Sequence, residues 1–332
     1  MSSVQGKSLS QNMFFRIIKR IWTDYSIVVV CVCLFAIFGF IQPRFFTVSN
    51  MLLITRQASI VGMIALGMTF IIITGGIDLS SGHVLAAAGA VLIYIQGREY
   101  LPMSTAITLS ILACIVTATL LGFLNGVIIT KFRLPAFIIT LAIGIIARSM
   151  TMYFLQGQTL RGRPVLEFRN IGMGMLIGNI PNALVIWIVS IIILCFVLYY
   201  TKFGSYIYAV GGNENAARYS GIKVNKIKIM AYTLAGLCVS IATVLDLSRM
   251  AAISPSTSGE MYEFDAITAV VVGGTALSGG RGKILGTVFG VIMIAAVSNI
   301  MVMMQISPYL AGTVKGLIIL AAVLLQRRDK TV

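Results

Sequence analysis

Long apolar tracts separated by short polar segments dominate this chain. A helix needs roughly 17–25 residues to cross the hydrocarbon core of a bilayer at about 1.5 Å per residue. The sequence therefore predicts an all-α polytopic membrane protein, in which two spans are shorter than the rest. We predict ten spans, at residues 25–42, 51–74, 80–96, 105–130, 135–156, 183–201, 228–248, 263–278, 284–304 and 309–326.

Composition agrees with this pattern. Of the 332 residues, 58% are hydrophobic and only 11% are charged, whereas soluble domains carry about 25% charged residues. The predicted organisation is a lead-in at 1–24, a transmembrane domain at 25–326 and a tail at 327–332, with one long polar connection at 202–228. No large soluble domain fits between the tracts, so we expect any soluble machinery to belong to other chains.

The net charge of +15 does not indicate a nucleic acid partner, because the basic residues sit in short segments between apolar tracts. An even number of spans places both termini on one side of the membrane. Most Lys and Arg residues fall on that side, in the N-terminal lead-in, the connections at 131–133 and 281–283, the 202–228 connection and the tail. Since basic loops stay in the cytoplasm, we predict that both termini are cytoplasmic.

All five cysteines lie inside apolar tracts without a His or Asp cluster nearby. We interpret them as buried, hydrophobe-like residues, with no disulfide framework and no metal site.

A repeated glycine-rich motif interrupts two of the tracts. Residues 75–82 (GGIDLSSG) and 273–280 (GGTALSGG) both match G-G-x-x-L-S-x-G. Such breaks in two halves of a membrane protein favour a transport pathway, because irregular backbone must lie inside protein or along a cavity. The alternative is a turn between closely packed helices. The sequence leaves open whether the breaks lie at the cytoplasmic end or near the midplane.

The 202–228 connection contains residues that are typical of the two ends of a short helix. Asn213 is placed to cap its N-terminus, Glu214 suits the positive end of its dipole, and Gly221 suits a left-handed stop. A helix this short is marginal alone in water and needs a docking surface. We predict a partner protein there; the alternative is a helix resting on the membrane face.

Three long segments resemble one known family. They are VGGNENAARYSGI (210–222), GMTFIIITGGIDLSSG (67–82) and FDAITAVVVGGT (264–275). In their order along the chain they resemble the ribose/galactose-type sugar permeases of bacterial ABC importers, with similarity from about residue 45 to 325. The sequence departs locally from the family pattern at Ser81, His83 and Asp246. These departures bear on which solute is transported and not on the family.

The resemblance implies a multi-pass subunit of the inner membrane that pairs with a second permease copy or a close homologue. Its other partners would be a tandem ABC ATPase in the cytoplasm, a periplasmic sugar-binding protein, the sugar and membrane lipid. This chain would bind no cofactor, and the partner ATPase would use ATP and Mg²⁺. The residues implied to couple to the ATPase are Gly211, Gly212, Asn213, Ala216, Ala217, Gly221 and Ile222.

Polar groups in and near the spans are candidates for the solute pathway, since sugar hydroxyls need hydrogen-bond partners. The predicted pathway residues are Thr74, Gly75, Gly76, Asp78, Ser80, Asn125, Gly273, Gly274, Thr275, Ser278 and Asn299. Alternatively, Asp78 pairs with a basic residue, and Glu263 and Asp265 cap the eighth span. The loop 157–182, with Arg161, Arg163 and Arg169, is the predicted contact for the binding protein.

We predict a transport subunit that is not itself an enzyme. Residues 277–281 (LSGGR) resemble an ABC ATPase signature, but the chain lacks the G-x-x-x-x-G-K-[ST] phosphate loop that hydrolysis needs. The predicted function is ATP-driven import of a monosaccharide of the ribose type or a related sugar. One alternative is another small polar solute, such as a furanosyl autoinducer. Another is an ion-coupled secondary transporter using Asp78 or Asp246; an intramembrane enzyme is disfavoured.

Overall fold

The computed structural model describes residues 27–307, except 177 and 179, together with 310, 312–318 and 320. The predicted lead-in at 1–24 and tail at 327–332 lie outside the described residues, as does much of the predicted span at 309–326. Helices form nearly all the regular structure in the described part of the chain.

The helices follow one another with short connections. Their bounds are α1 Ile27–Ile41, α2 Val48–Ile73, α3 Ser81–Gln96, α4 Met103–Phe132, α5 Ala136–Phe154, α6 Leu166–Met173, α7 Asn182–Tyr200, α8 Lys202–Gly212, α9 Glu214–Tyr219, α10 Val224–Met250, α11 Tyr262–Val272 and α12 Ile284–Met303. Residues 312–318 are also helical. Two short strands, β1 (Leu160–Arg161) and β2 (Ala252–Ile253), pair antiparallel with Leu160 opposite Ile253.

Six of these helices are long and apolar enough to cross a membrane, and α1 and α3 are shorter apolar helices. The six are α2, α4, α5, α7, α10 and α12, and most predicted spans match a helix to within a few residues. The all-α polytopic membrane fold is thus confirmed, while the count of ten spans stays a prediction.

Helix α2 occupies the centre of the bundle. It packs against α10, α12, α11 and α7, and nearly all of its C-terminal two thirds is buried. Helices α4 and α10 form the most extensive pair, since Gly122 and Gly236 let the two backbones approach closely. The outward sides of α4, α5 and α7 expose large apolar residues, as expected for surfaces that face lipid.

The cysteines are free thiols: Cys31, Cys114 and Cys238 are buried, whereas Cys195 is half-buried and Cys33 is exposed. The prediction of uniformly buried cysteines is therefore wrong for Cys33, which projects from the outer surface of the bundle.

The predicted span 263–278 is wrong as a continuous helix. Helix α11 has only 11 residues, about 16 Å at 1.5 Å per residue, and a bilayer core is roughly 30 Å thick. It ends at Val272, because Gly274 takes a left-handed conformation with φ 86°. The preceding residues 254–261 are not helical.

The predicted short helix in the polar connection is present as α9. The Asn213 side chain accepts a hydrogen bond from the Ala216 N–H at 2.9 Å, and Gly221 has φ 80°. The sequence prediction missed α8, the eleven-residue helix immediately before it. The two helices are therefore separated only by the cap residue, Asn213.

Candidate solute pathway and coupling segment

The two repeated motifs begin as the same type of helix stop. After α2, Gly75 has φ 82° and the Gly76 N–H donates to the Ile71 carbonyl at 3.1 Å. After α11, Gly274 has φ 86° and the Thr275 N–H donates to the Val270 carbonyl at 3.1 Å. This is the pattern of a Schellman cap, which needs a left-handed residue. In the structure Gly75 therefore corresponds to Gly274, whereas the sequence alignment of the two motifs places Gly75 opposite Gly273.

The two motif loops are in contact. The Gly280 N–H donates a 2.9 Å hydrogen bond to the carbonyl of Ile73, the last residue of α2. A Cβ at Gly279 would lie 3.0 Å from the backbone nitrogen of Gly75. Residues of both motifs therefore form one junction of closely packed backbone, the motif junction.

Helix α8 packs directly on the motif junction. A Cβ at Gly211 would clash with the Ile73 carbonyl and would lie 2.6 Å from the Gly280 nitrogen, whereas one at Gly212 would meet nothing within 4 Å. The Tyr208 hydroxyl donates to the Gly282 carbonyl at 2.7 Å. The motif junction therefore lies at the end of the bundle that carries residues 202–228.

Asp78 is buried and fully engaged by its own loop. One carboxylate oxygen accepts from the Ser80 N–H at 2.8 Å and from the Ser80 hydroxyl at 2.6 Å. The other oxygen accepts from the Ser81 hydroxyl at 2.9 Å. Within the described residues no ion pair involves Asp78, so the structure does not support the expected pairing with a basic residue.

Three other helices fix the loop around Asp78. The Asn125 amide of α4 donates to the Ser80 hydroxyl at 2.9 Å. The Thr140 hydroxyl of α5 accepts from the Leu79 N–H at 3.0 Å, and the Tyr232 hydroxyl of α10 donates to the Ile77 carbonyl at 3.4 Å. Asp78, Ser80 and Asn125, all predicted pathway residues, thus form one buried polar cluster.

The other predicted pathway residues occupy different places. The Thr74 hydroxyl donates to the Ile71 carbonyl at 2.7 Å, at the end of α2. Gly273 packs against Gly286 of α12, and Thr275 is buried. Asn299 lies at the opposite end of α12, about 20 Å from the motif junction by helix rise. It pairs there with Asn50 and is not part of the cluster.

The sequence prediction missed the segment 254–261 and the residue that holds it. The Arg148 guanidinium of α5 donates to the carbonyls of Pro255 at 3.0 Å, Ser256 at 2.6 Å and Ser258 at 2.9 Å. The available signal was a polar Ser-Pro-Ser-Thr-Ser stretch directly before an apolar tract too short to be a span.

Glu263 and Asp265 lie in the first turn of α11, although neither occupies its N-cap position. The N-cap position of α11 is Met261, without a side-chain cap hydrogen bond. Asp265 instead accepts from the Lys315 ammonium at 2.7 Å, an ion pair between α11 and the last described helical residues. Glu263 is buried, and its Oε2 has no partner among the described residues.

Helix α9 has one face against the bundle and one face free. Ala217 is only 4% exposed, whereas Tyr219 is 91% exposed. Glu214 accepts from Lys228 at 2.6 Å and from Arg218 at 3.0 Å. These cations, Lys228 foremost, lower the pKa of Glu214 below its usual value. The free face therefore carries an aromatic ring, and the ion pair between Lys228 and Glu214 fastens α9 to α10.

The predicted basic loop at the other end of the bundle is ordered around α6 and β1. Arg163 donates to the carbonyls of Arg98 at 3.2 Å and Leu101 at 3.4 Å, so its side chain stabilises the fold. Arg161 and Arg169 stay exposed. No group of three or more His, Cys, Asp or Glu residues suited to a metal was found in the described part of the chain.

The family described as "Branched-chain amino acid transport system / permease component" matches residues 50–323, so the chain belongs to it. It is a multi-pass permease of the inner membrane.

Individual relatives are similar over nearly their whole length. The chain is 37% identical to the ribose import permease of Escherichia coli over 321 residues, which cover 95% of this chain and 97% of the relative. It is 42% identical to the ribose import permease of Bacillus subtilis over 295 residues, with 88% and 89% covered. The L-arabinose transport system permease of Escherichia coli is 35% identical over 308 residues, with 93% and 92% covered. No solved structure matches this chain.

Proposed function

We propose that this chain is the membrane subunit of an ATP-driven importer for a monosaccharide of the ribose type. The observation that carries the proposal is its similarity to two ribose import permeases over nearly the full length of both chains. An L-arabinose permease is also similar, so the solute class is a small neutral sugar. Its pathway passes the motif junction and the cluster around Asp78.

The coupling to a cytoplasmic ATPase is supported by α9. This short, capped helix presents an exposed Tyr219, an apolar ring that a soluble partner would cover. Tyr is also enriched among the residues that dominate protein interfaces. Because Gly211 of the preceding α8 lies against the end of α2 and against the second motif, a displacement of the docked segment would reach the motif junction directly. ATP and Mg²⁺ act on the ATPase, and this chain performs no covalent chemistry.

Two further partners complete the proposed importer. A second permease copy or a close homologue would build the other half of the pathway. A periplasmic sugar-binding protein would dock on the α6 side, where Arg161 and Arg169 are exposed. Selection of the sugar would rest largely with that binding protein.

The test is uptake of radiolabelled D-ribose by proteoliposomes containing this chain, its ATPase and its binding protein. We expect uptake only with internal ATP and with all three components, and we expect an ionophore to leave it unchanged. Ribose uptake that persists without the ATPase and collapses with the ionophore would instead indicate an ion-coupled transporter. Uptake of L-arabinose but not ribose would overturn the ribose assignment within the sugar class.

A further inference from the structure

Residues 254–260, the re-entrant segment, enter the bundle from the end that carries β1 and β2. Gly162, next to β1, lies against Gln96 at the C-terminal end of α3, and its N–H bonds to Ala251. Gly259 instead meets Gly82, at the N-terminal end of α3, where an added Cβ would lie 3.1 Å from the Gly82 carbonyl carbon. The two ends of α3 are about 20 Å apart. The chain thus descends beside α3 through much of the membrane depth.

Irregular backbone at this depth needs internal hydrogen bonds, because hydrocarbon offers none. Arg148 supplies three of them, to carbonyls of the re-entrant segment. The segment also bonds to itself, since the Ser254 N–H donates to the Ser258 hydroxyl at 3.0 Å. Arg148 is therefore a positioning residue, which holds the segment in one shape between α3 and α5.

The side chains that this shape turns outward are polar. Ser256, Thr257 and Glu260 are exposed. Helix α11 follows this segment directly and runs towards the motif junction. Polar side chains at membrane depth face protein or a water-filled path rather than lipid. The exposed side of the re-entrant segment is thus a polar wall at the start of a half-length helix, an arrangement typical of solute sites in transporters.

A second observation points to a ligand at the same place. Glu263 is 5% exposed, and its Oε2 lies against Gly82 without a hydrogen-bond partner among the described residues. An unpartnered buried carboxylate oxygen is costly and calls for a donor. Hydroxyl groups of a solute or of water would supply it. Together the residues offer hydroxyls that donate and accept, and carboxylates that accept.

Building on the proposed function, we infer that residues 254–260 and Glu263 form a solute contact inside the translocation pathway. The ligand class is a neutral polyhydroxylated molecule, whose hydroxyls bond to Ser256, Thr257 and Glu260 during passage. A charged solute is disfavoured, because the carboxylates would repel an anion and the guanidinium of Arg148 a cation.

Thiol labelling tests the inference in the assembled complex in membranes. Thr257→Cys is introduced after the five native cysteines are replaced, and a membrane-impermeant thiol reagent is applied to both sides. We expect rapid labelling, slowed about tenfold by D-ribose at ten times its KM, because bound solute shields the site by mass action. Leu120→Cys, on the exposed apolar side of α4, is the matched control that should stay unlabelled.

Transport kinetics provide the second readout. Thr257→Val keeps the shape but removes the hydroxyl, and we expect KM for ribose to rise about tenfold, the value of one hydrogen bond. Thr257→Ser keeps the hydroxyl and should behave like wild type. Arg148→Gln should reduce the amount of assembled complex, because three carbonyls of the re-entrant segment lose their donor.

Each negative outcome has a distinct meaning. An unlabelled Thr257→Cys overturns the inference, since the segment then lies against the second permease copy or lipid. Labelling that ribose does not slow, together with normal KM for Thr257→Val, overturns the solute contact. A wild-type complex without ribose uptake contradicts the proposed function instead, and labelling still decides whether the re-entrant segment lines an aqueous path.

Discussion

Asn50 and Asn299 exchange two hydrogen bonds between the start of α2 and the end of α12. The Asn50 amide donates to Asn299 Oδ1 at 3.0 Å, and the Asn299 amide donates to Asn50 Oδ1 at 2.8 Å. Asn50 also donates to the Phe45 carbonyl at 2.8 Å. The Thr69 and Thr287 hydroxyls, 2.8 Å apart, join the other ends of the same two helices. Asn299 thus fastens an antiparallel helix pair.

This pair yields a stability prediction. Asn299→Ala removes both hydrogen bonds between the buried Asn50 and Asn299, so we expect unfolding of the solubilised permease at a lower temperature. In a double-mutant cycle with Asn50→Ala, the coupling energy should be about 1 kcal/mol, as for other hydrogen bonds between membrane helices. Transport per assembled complex should stay normal. A lowered transport rate with unchanged stability would instead support the prediction that Asn299 lines the solute pathway.

Adjacent glycines at the end of α8 give a matched pair for testing coupling. Gly211→Ala places a methyl group into the Ile73 carbonyl and the Gly280 nitrogen, whereas Gly212→Ala meets open space. We expect Gly211→Ala to separate α8 from the motif junction and to abolish sugar-stimulated ATP hydrolysis in the reconstituted complex. Gly212→Ala should retain stimulation. Equal stimulation in both variants would show that the contact at Gly211 does not transmit coupling.

The free face of α9 gives a second coupling prediction. We expected both Ala216 and Ala217 to face the ATPase, but Ala217 is buried within this chain and only Ala216 is exposed. Ala217→Glu should therefore damage the permease itself and lower its amount in the membrane. Tyr219→Ala should leave that amount unchanged and weaken ATPase binding, by about tenfold or more if the ring is an interface anchor. Co-purification of the ATPase with each variant measures the difference.

The ion pairs of Glu214 predict how the α9 attachment depends on pH. Because Lys228 and Arg218 lower its folded-state pKa below 4.5, their contribution is present above the unfolded value of about 4.3 and is lost as the pH falls through the folded value. A mobility probe on Ser220→Cys should therefore be unchanged from neutral pH down to about pH 5. It should loosen only below about pH 4.3. Glu214→Gln should be looser already at neutral pH and should not respond to acid. Loosening of the wild type near pH 6 would contradict the assignment.

The sequence was sufficient for features set by local chemistry. Apolar tract length predicted the long helices, and Asn213 and Gly221 predicted the ends of α9. It failed where the outcome depends on distant partners. The half-length α11 is possible because Arg148, more than a hundred positions earlier, holds the chain before it. The partners of Asn299 and Ala217 are likewise set by packing, which one sequence does not display.

Substitution of Asp78 decides between a structural and a pathway role for the first motif. Its carboxylate accepts three hydrogen bonds, from the Ser80 N–H and from the hydroxyls of Ser80 and Ser81. In Asp78→Asn the amide oxygen can keep both bonds from Ser80, and the Ser81 hydroxyl can reverse to accept from the amide nitrogen. We therefore expect Asp78→Asn to assemble and to transport at a rate per complex close to wild type. Asp78→Ala loses all three bonds and should strongly reduce assembly.

Quantitative blotting of assembled complex and sugar uptake, measured on the same membranes, separate the two roles of Asp78. If the carboxylate instead bonds to solute hydroxyls in the rate-limiting state, loss of its charge should cost about 1.5–3 kcal/mol. Uptake per complex in Asp78→Asn would then fall roughly tenfold to hundredfold at normal assembly. That result would show that Ser80 and Ser81 release the carboxylate during transport, because in this structure they occupy both of its oxygens.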